Sequence, residues 1–251
     1  AGKIARVNPY IGGIEEGFNG SASPKDLETL FQLIHLYFSA PRLDSSAFLA
    51  YQERMNGFLE NRSSRPETAY RDTIQVTMAQ HHLRSRPWST ELLTEMDLGD
   101  SYEIYTDRFE NAGDFTFYFV GNFTLESIKP LVELYLGGLP NTGREEQWKD
   151  VGIKPPQNVV EKHVKKGLEQ KSLSNIIFTG PFEWSGKNRY HLKSMVQALR
   201  IKLREVMRED LSGTYFVSVR GNTTHFPKER YRIDISFGGD PGIIEELTKA
   251  A

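Results

Sequence analysis

Residues 203–219 have the sequence LREVMREDLSGTYFVSV, which divides into a helix end, a turn and a strand. The spacing of the apolar residues predicts an amphipathic helix that stops at Gly213, and alternation resumes from Tyr215 as in a β-strand. Arg208 lies just before this turn and Tyr215 just after it. The order of elements can bring a guanidinium and a phenol to one edge of a cleft, where both could donate hydrogen bonds to a peptide carbonyl.

The composition indicates a folded chain of one large domain or two ordinary ones. The sequence has 251 residues, of which 38% are hydrophobic, 12% aromatic and 25% charged. That is enough apolar material for a core, so global disorder is excluded. A net charge of −2 and a pI near 6.4 give no electrostatic footprint for nucleic acid or an anionic membrane.

Two absences narrow the chemistry of the chain. It has no cysteine, which excludes disulfides, a thiol nucleophile and cysteine-ligated metal. No apolar run approaches the roughly 20 residues that span a bilayer. The sequence begins Ala1-Gly2-Lys3 and ends Thr248-Lys249-Ala250-Ala251, so we expect a piece of a longer protein.

Local patterns predict helices and strands in two successive groups. The first group holds two strands in residues 3–22, helices over 23–39, 44–61 and 66–78, two short helices in 90–111, a buried strand over 115–120 and a helix over 126–139. The second holds strands over 158–166, 172–180, 214–222 and 230–237, a long helix over 188–211 and a helix opening at Asp240-Pro241.

The segment between the groups is the predicted domain boundary. Residues 141–157 contain Asn141-Thr142-Gly143, a charged middle and Pro155-Pro156, with little apolar periodicity. We therefore expect a partial domain over 1–140, a linker over 141–157 and the start of a homologous domain over 158–251. The fold class that follows is α+β.

The histidines show no metal-binding spacing. There are six of them, and no pair stands four residues apart with a glutamate between. His81 and His82 are adjacent, so on a helix they would point about 100° apart, and a helix end is the favoured interpretation. His35 follows Ile34 on a predicted helix and is expected to be a flanking residue. The six are His35, His81, His82, His163, His191 and His225.

Other catalytic and binding motifs are absent as well. The sequence has no G-x-S-x-G elbow, no phosphate loop and no dinucleotide fingerprint. The helix over 187–208 is basic, but it lacks interleaved aromatics and favours a solvated face over a nucleic-acid surface. From spacing alone, Arg208 is equally explained as a cation near a helix C-terminus, and Tyr215 as an ordinary strand aromatic.

Three segments in order resemble the insulinase, pitrilysin and processing-peptidase family of zinc metallopeptidases. REDLSGTY at 208–215 resembles its R-E-x-L-x-x-x-Y segment. FVGNFTLE at 119–126, running to YLGGLP at 135–140, resembles the strand and helix that close one of its domains. GSAS at 20–23 with DLET at 26–29 and APR at 40–42 resembles the middle of the preceding domain.

The resemblance implies two tandem α/β-sandwich domains of the LuxS and processing-peptidase type, both truncated. In that family the first half carries H-x-x-E-H and binds the catalytic zinc, and the second half carries an arginine and a tyrosine that hold the substrate backbone. Only Arg208 and Tyr215 carry over here, because H-x-x-E-H is absent. The implied protein is the substrate-binding, non-zinc half of a bacterial zinc protease, inactive alone and without cofactor, with zinc in the parent enzyme.

The implied partners are the zinc-carrying first half, in the same protein or in a partner subunit, and a peptide substrate. No nucleic acid or membrane span is expected, and periplasm or cell envelope is favoured over cytoplasm. The alternative from another class is a non-catalytic structural or assembly homologue of the same fold, such as a core subunit of a respiratory complex. An H-x-x-E-H motif upstream in the parent gene would favour the peptidase.

Overall fold

A computed structural model describes residues 2–210 and 214–251, with Arg208–Asp210 described as backbone only. The described residues form two compact units. The first unit consists of residues 2–64 and 87–151, and the second of residues 65–86 and 152–251. The domain boundaries predicted at residues 140 and 158 stay a prediction. The helix that begins at Pro66 lies within the predicted first domain but belongs to the second unit.

The first unit opens with a two-stranded antiparallel sheet, which confirms the strands expected in residues 3–22. Ala5 pairs with Ala22 at one end and Ile11 with Glu16 at the other. Several helices follow, some of them close to the predicted ranges. The elements of this unit are β1 Ala5–Ile11, β2 Glu16–Ala22, α1 Leu27–Ser39, α2 Ser45–Ser63, α4 Thr90–Thr94, α5 Leu98–Phe109 and α6 Leu125–Leu131, while α3 Pro66–Met78 lies in the second unit.

The core of the first unit is aromatic. Phe38 and Phe109 are almost fully buried, and the ring of Phe18 lies 5.0 Å and 4.7 Å from theirs. Phe31, which has no exposed surface, stacks on Phe119 at 5.0 Å. Such offset and edge-on contacts add to the hydrophobic stabilisation from burial.

Residues 115–120 correct one sequence prediction. They form no β-ladder with any described strand, so the predicted buried strand is an unpaired extended segment. Its side chains alternate: Phe115, Phe117 and Phe119 pack against the core, whereas Tyr118 and Val120 are almost fully exposed. The apolar run therefore reflects one buried face, since strand pairing requires a neighbour that no described segment supplies.

The helix predicted over 126–139 is shorter than expected. After α6 the chain continues as a π-helix, Val132–Leu136, and the Gly137 N–H donates to the Val132 carbonyl at 3.0 Å. Pro130 lies inside α6 and has no N–H for the helical ladder. The π-helix, whose turns are wider than those of an α-helix, begins directly after α6 ends.

The second unit is built on a three-stranded antiparallel sheet, as far as the structure describes it. Its strands are β3 Ser172–Pro181, β4 Thr214–Thr224 and β5 Arg230–Gly239, and its C-terminal helices are α7 Gly186–Arg204 and α8 Ile244–Ala250. The strand order β3-β5-β4 leaves β4 at an edge. These ranges confirm the predicted strands over 172–180, 214–222 and 230–237 and the long helix, which ends in a π-helix, Glu205–Asp210.

The strand predicted over 158–166 is wrong. Residues 140–171 contain no helix or strand, and residues 157–171 are all exposed. Lysines at 162, 165 and 166 interrupt the few apolar residues, so this segment has no continuous apolar face to bury. The helix expected at Asp240-Pro241 begins slightly later, at Ile244.

Candidate functional site

Helix α7 leads the chain to the candidate site. Ser185 caps its start by accepting a hydrogen bond from the Asn188 N–H at 3.1 Å. Val196 and Leu203 of α7 and Met207 just after it are buried in the core of the second unit. The helix therefore ends with one face fixed against the sheet.

Arg208 follows the fully buried Met207 within the π-helix Glu205–Asp210. Single π turns are often found at functional sites, where they rotate the residues that follow. The Arg208 side chain lies outside what the structure describes, as do residues 211–213. Its predicted placement beside Tyr215 thus stays a prediction.

Tyr215 lies on edge strand β4 at an irregularity in the pairing with β5. Thr214 pairs with Gly239 and Phe216 pairs with Gly238, so two steps along β4 match one step along β5. This is a β-bulge, and Tyr215 is its extra residue. The Tyr215 side chain is 68% exposed, which leaves its phenol free to meet a ligand from solvent.

The side chains around the bulge fix the backbone on both sides of Tyr215. The Thr214 hydroxyl oxygen lies 2.8 Å from the Phe216 carbonyl oxygen and 2.7 Å from the Gly238 carbonyl oxygen. A β-carbon on Gly238 would lie 2.8 Å from the Phe216 ring, so the glycine leaves room for that ring. Thr214 and Gly238 were not predicted as site residues, because each residue type is common in or beside strands.

A residue of the basic helix face bonds to the backbone of β4. Arg200 on α7 donates a hydrogen bond through Nη2 to the Val219 carbonyl at 2.7 Å. Two other basic residues of this helix also have partners, since Arg189 stacks on Trp184 at 4.1 Å and Lys202 pairs with Glu205 at 2.7 Å. These contacts support the interpretation of a structural and solvated face.

The described residues provide no site for a metal ion. Among the side chains described, those of residues 2–207 and 214–251, no three histidines, aspartates or glutamates come together in a suitable cluster. His35 Nδ1 lies 2.8 Å from the Tyr135 carbonyl oxygen, and the His82 ring accepts a hydrogen bond from the Arg84 N–H at 3.2 Å. These contacts agree with structural roles for both residues.

The described residues thus form two α+β units, the second of which has an exposed tyrosine on an edge strand. A family model described as "Peptidase M16 inactive domain" matches residues 95–251. The chain belongs to this family, which confirms the resemblance to insulinase, pitrilysin and processing peptidases and the prediction of a non-zinc half.

Comparisons with individual proteins agree with this family. The chain is 24% identical over 245 residues to a probable zinc protease, PqqL, of Haemophilus influenzae, covering 93% of the chain and 25% of that protein. It therefore spans about a quarter of the length of this curated relative.

Solved structures show the same fold. The periplasmic protease PqqL from Escherichia coli matches 98% of the chain with a TM-score of 0.82 and 20% identity, the chain covering 27% of that structure. A peptidase M16 inactive domain from Pseudomonas fluorescens matches 98% of the chain with a TM-score of 0.67 and 12% identity, and 61% of that structure is covered. These likenesses confirm the predicted fold class.

The helices offer no transmembrane candidate. Within the part of the chain that the structure describes, none combines the length and the apolar character needed to cross a bilayer.

Proposed function

We propose that the chain is the substrate-binding, non-zinc half of a zinc-dependent peptidase, acting inside a chamber that closes around the peptide. Membership of the inactive-domain family and the exposed position of Tyr215 on a β-bulge support this proposal. The observation that carries it is the bulge, because β-bulges commonly re-aim a side chain beside an active site.

Arg208 and Tyr215 are proposed to hold the substrate backbone and to stabilise the tetrahedral intermediate. A guanidinium stays charged at any working pH and presents several N–H donors to a developing oxyanion. A phenol on a strand is a donor mounted on a rigid element, so little reorganisation is needed when the negative charge develops. Both groups act as donors to the substrate and neither needs a metal of its own.

The zinc of the parent enzyme is proposed to lie in another half, because the described residues of this chain do not form a zinc site. When bound there, zinc would activate the attacking water. Placing donors on the opposite wall makes completion of the site depend on closure of the two halves around the peptide. The proposed partner is accordingly the zinc-carrying half, in the same protein or in a separate subunit.

We also propose a periplasmic or cell-envelope location for the parent. The support comes from the similar solved structure of PqqL from Escherichia coli, which is described as a periplasmic protease.

The test compares Arg208→Ala and Tyr215→Phe in the full-length protein that carries this chain. Each variant should lower the turnover of a peptide substrate about 100-fold, the scale of losing one oxyanion donor, with zinc content unchanged. Tyr190→Phe is the matched control, because Tyr190 is 69% exposed on α7 and should retain wild-type turnover. Wild-type turnover in both site variants would contradict the proposal and favour a structural or assembly role.

A further inference from the structure

The exposure of Tyr215 is unexpected for its position along β4. Val219 is fully buried and Val217 packs against the same core. Successive side chains of a strand point to opposite faces, so residue 215 shares the face of residues 217 and 219 in an uninterrupted strand. A regular β4 would therefore direct Tyr215 toward the core, whereas its side chain is 68% exposed.

The bulge accounts for this difference. From Phe216 to Thr224 each residue of β4 pairs regularly with β5, and the same register continued by one residue would place Tyr215 opposite Gly239. Gly239 instead pairs with Thr214, and Tyr215 is left out of the described pairing. The inserted residue resets the alternation and releases the Tyr215 ring from the core face.

A single hydroxyl ties the two sides of the bulge together. Thr214 Oγ1 lies within hydrogen-bond distance of a carbonyl on its own strand, that of Phe216, and of one on the partner strand, that of Gly238. A hydroxyl carries one proton, so it donates to either carbonyl or is shared between them. Both carbonyls belong to the first regular pair after the bulge, Phe216 and Gly238. Thr214 pairs with Gly239, one step out of the regular register, and both contacts depend on this position.

We propose that Thr214 is a positioning residue for Tyr215: its hydroxyl locks the bulge in which the phenol faces the substrate. This inference rests on the role proposed for Tyr215. Thr214 does not touch the substrate and acts only through the neighbouring tyrosine.

The test uses Thr214→Val and Thr214→Ser in the full-length protein. Valine has nearly the shape of threonine but no hydroxyl, so we expect turnover to fall about fivefold, the scale of one net hydrogen bond. Serine keeps the hydroxyl and should restore turnover to near the wild-type value. In a Tyr215→Phe background, Thr214→Val should cause no further loss, because the group that it positions is already absent.

A second measurement follows the register directly in the 251-residue chain by nuclear magnetic resonance. Wild type and the Thr214→Ser variant should show the cross-strand contact between position 214 and Gly239, whereas Thr214→Val should show a contact between Tyr215 and Gly239. An unchanged register together with unchanged turnover in Thr214→Val would overturn the inference. If Tyr215→Phe retains wild-type turnover, the proposed function fails, and the register measurement still decides whether the hydroxyl locks the bulge.

Discussion

Glu16 is the first residue of β2, and its carboxyl group lies near other charged side chains of the first unit. Burial and the nearby Glu146 carboxylate raise the pKa of Glu16 above its ordinary value, and a hydrogen bond with Glu146 acts in the same direction. Arg108 lowers this pKa, and Asp114 raises it further. The Arg108 guanidinium does not offset the effects that raise this pKa, because it is already paired with Glu146 at 2.8 Å.

This raised pKa makes a pH-dependent contribution to stability. Folded Glu16 binds its proton more tightly than the unfolded chain does, so the associated stability is present at low pH and is lost as pH rises through the folded pKa. Glu16→Gln removes the ionisation. We therefore expect the variant to have a higher Tm than wild type at about pH 7.5 and roughly the same Tm at about pH 4.

Thermal unfolding at about pH 4, 5.5 and 7.5 measures this difference. Glu15→Gln is the matched control, since Glu15 is the exposed neighbour and its substitution removes the same formal charge. A Tm difference between Glu16→Gln and wild type that stays constant across the three pH values would show that ionisation of Glu16 is not the cause.

At the scale of elements, a buried amide fastens the segment after α6 to the end of α5. Asn111 is 2% exposed, and its Nδ2 donates to the Arg144 carbonyl at 2.6 Å while its Oδ1 accepts from the Thr142 N–H at 3.0 Å. Arg144 adds ion pairs with Asp107 at 3.0 Å and with Glu110 at 2.9 Å. The first residues of the predicted linker are thus bonded to the first unit.

Replacing this amide should destabilise the first unit. Asn111→Ala removes the buried amide and both of its hydrogen bonds, and we expect a loss of about 1–3 kcal/mol in the free energy of unfolding. Urea denaturation measures it. Asn61→Ala, on the exposed face of α2, is the control and should cost less than about 0.5 kcal/mol. A loss at Asn111 as small as that at Asn61 would show that the hydrogen bonds of the Asn111 amide do not stabilise the first unit.

The elements show which parts of the fold follow from local sequence. Helix α7 and strand β5 were predictable because their apolar periodicity coincides with the faces that the second unit buries. Residues 115–120 have an equally strong strand pattern, yet they form no ladder with a described strand, since pairing depends on a neighbour that periodicity cannot reveal. In residues 158–166 the apolar positions were too few and too interrupted by lysine to form a buried face.

The candidate site was predictable only in part. Arg208 and Tyr215 came from a resemblance to a family, because their spacing alone allowed ordinary structural roles. The bulge could not be predicted, since it depends on the register with Gly238 and Gly239, which lie on a different strand further along the chain. Thr214 acquires its role from that register rather than from its own sequence context.

On the scale of the whole molecule, the second unit is discontinuous in sequence. Helix α3 belongs to it although residues 87–151 of the first unit lie between α3 and β3 along the chain. Burial raises the pKa of Tyr70 on α3 to about 12, and the nearby Asp234 on β5 contributes to this rise. Glu67 on the same helix forms an ion pair with Lys171 at 2.9 Å, and Lys171 directly precedes β3. Contacts within this unit therefore join distant parts of the chain.

Limited trypsin digestion tests this arrangement in the 251-residue chain. Cleavage is expected first at Lys162–Lys166, because residues 157–171 are exposed and lie outside helices and strands. The two fragments should nevertheless co-elute in gel filtration, since α3 on the N-terminal fragment packs within the unit formed by the C-terminal one. Tyr70→Ala should weaken this association, whereas Tyr51→Ala on α2 of the first unit should not. Fragments of the wild-type chain that separate on the column would contradict the assignment of α3 to the second unit.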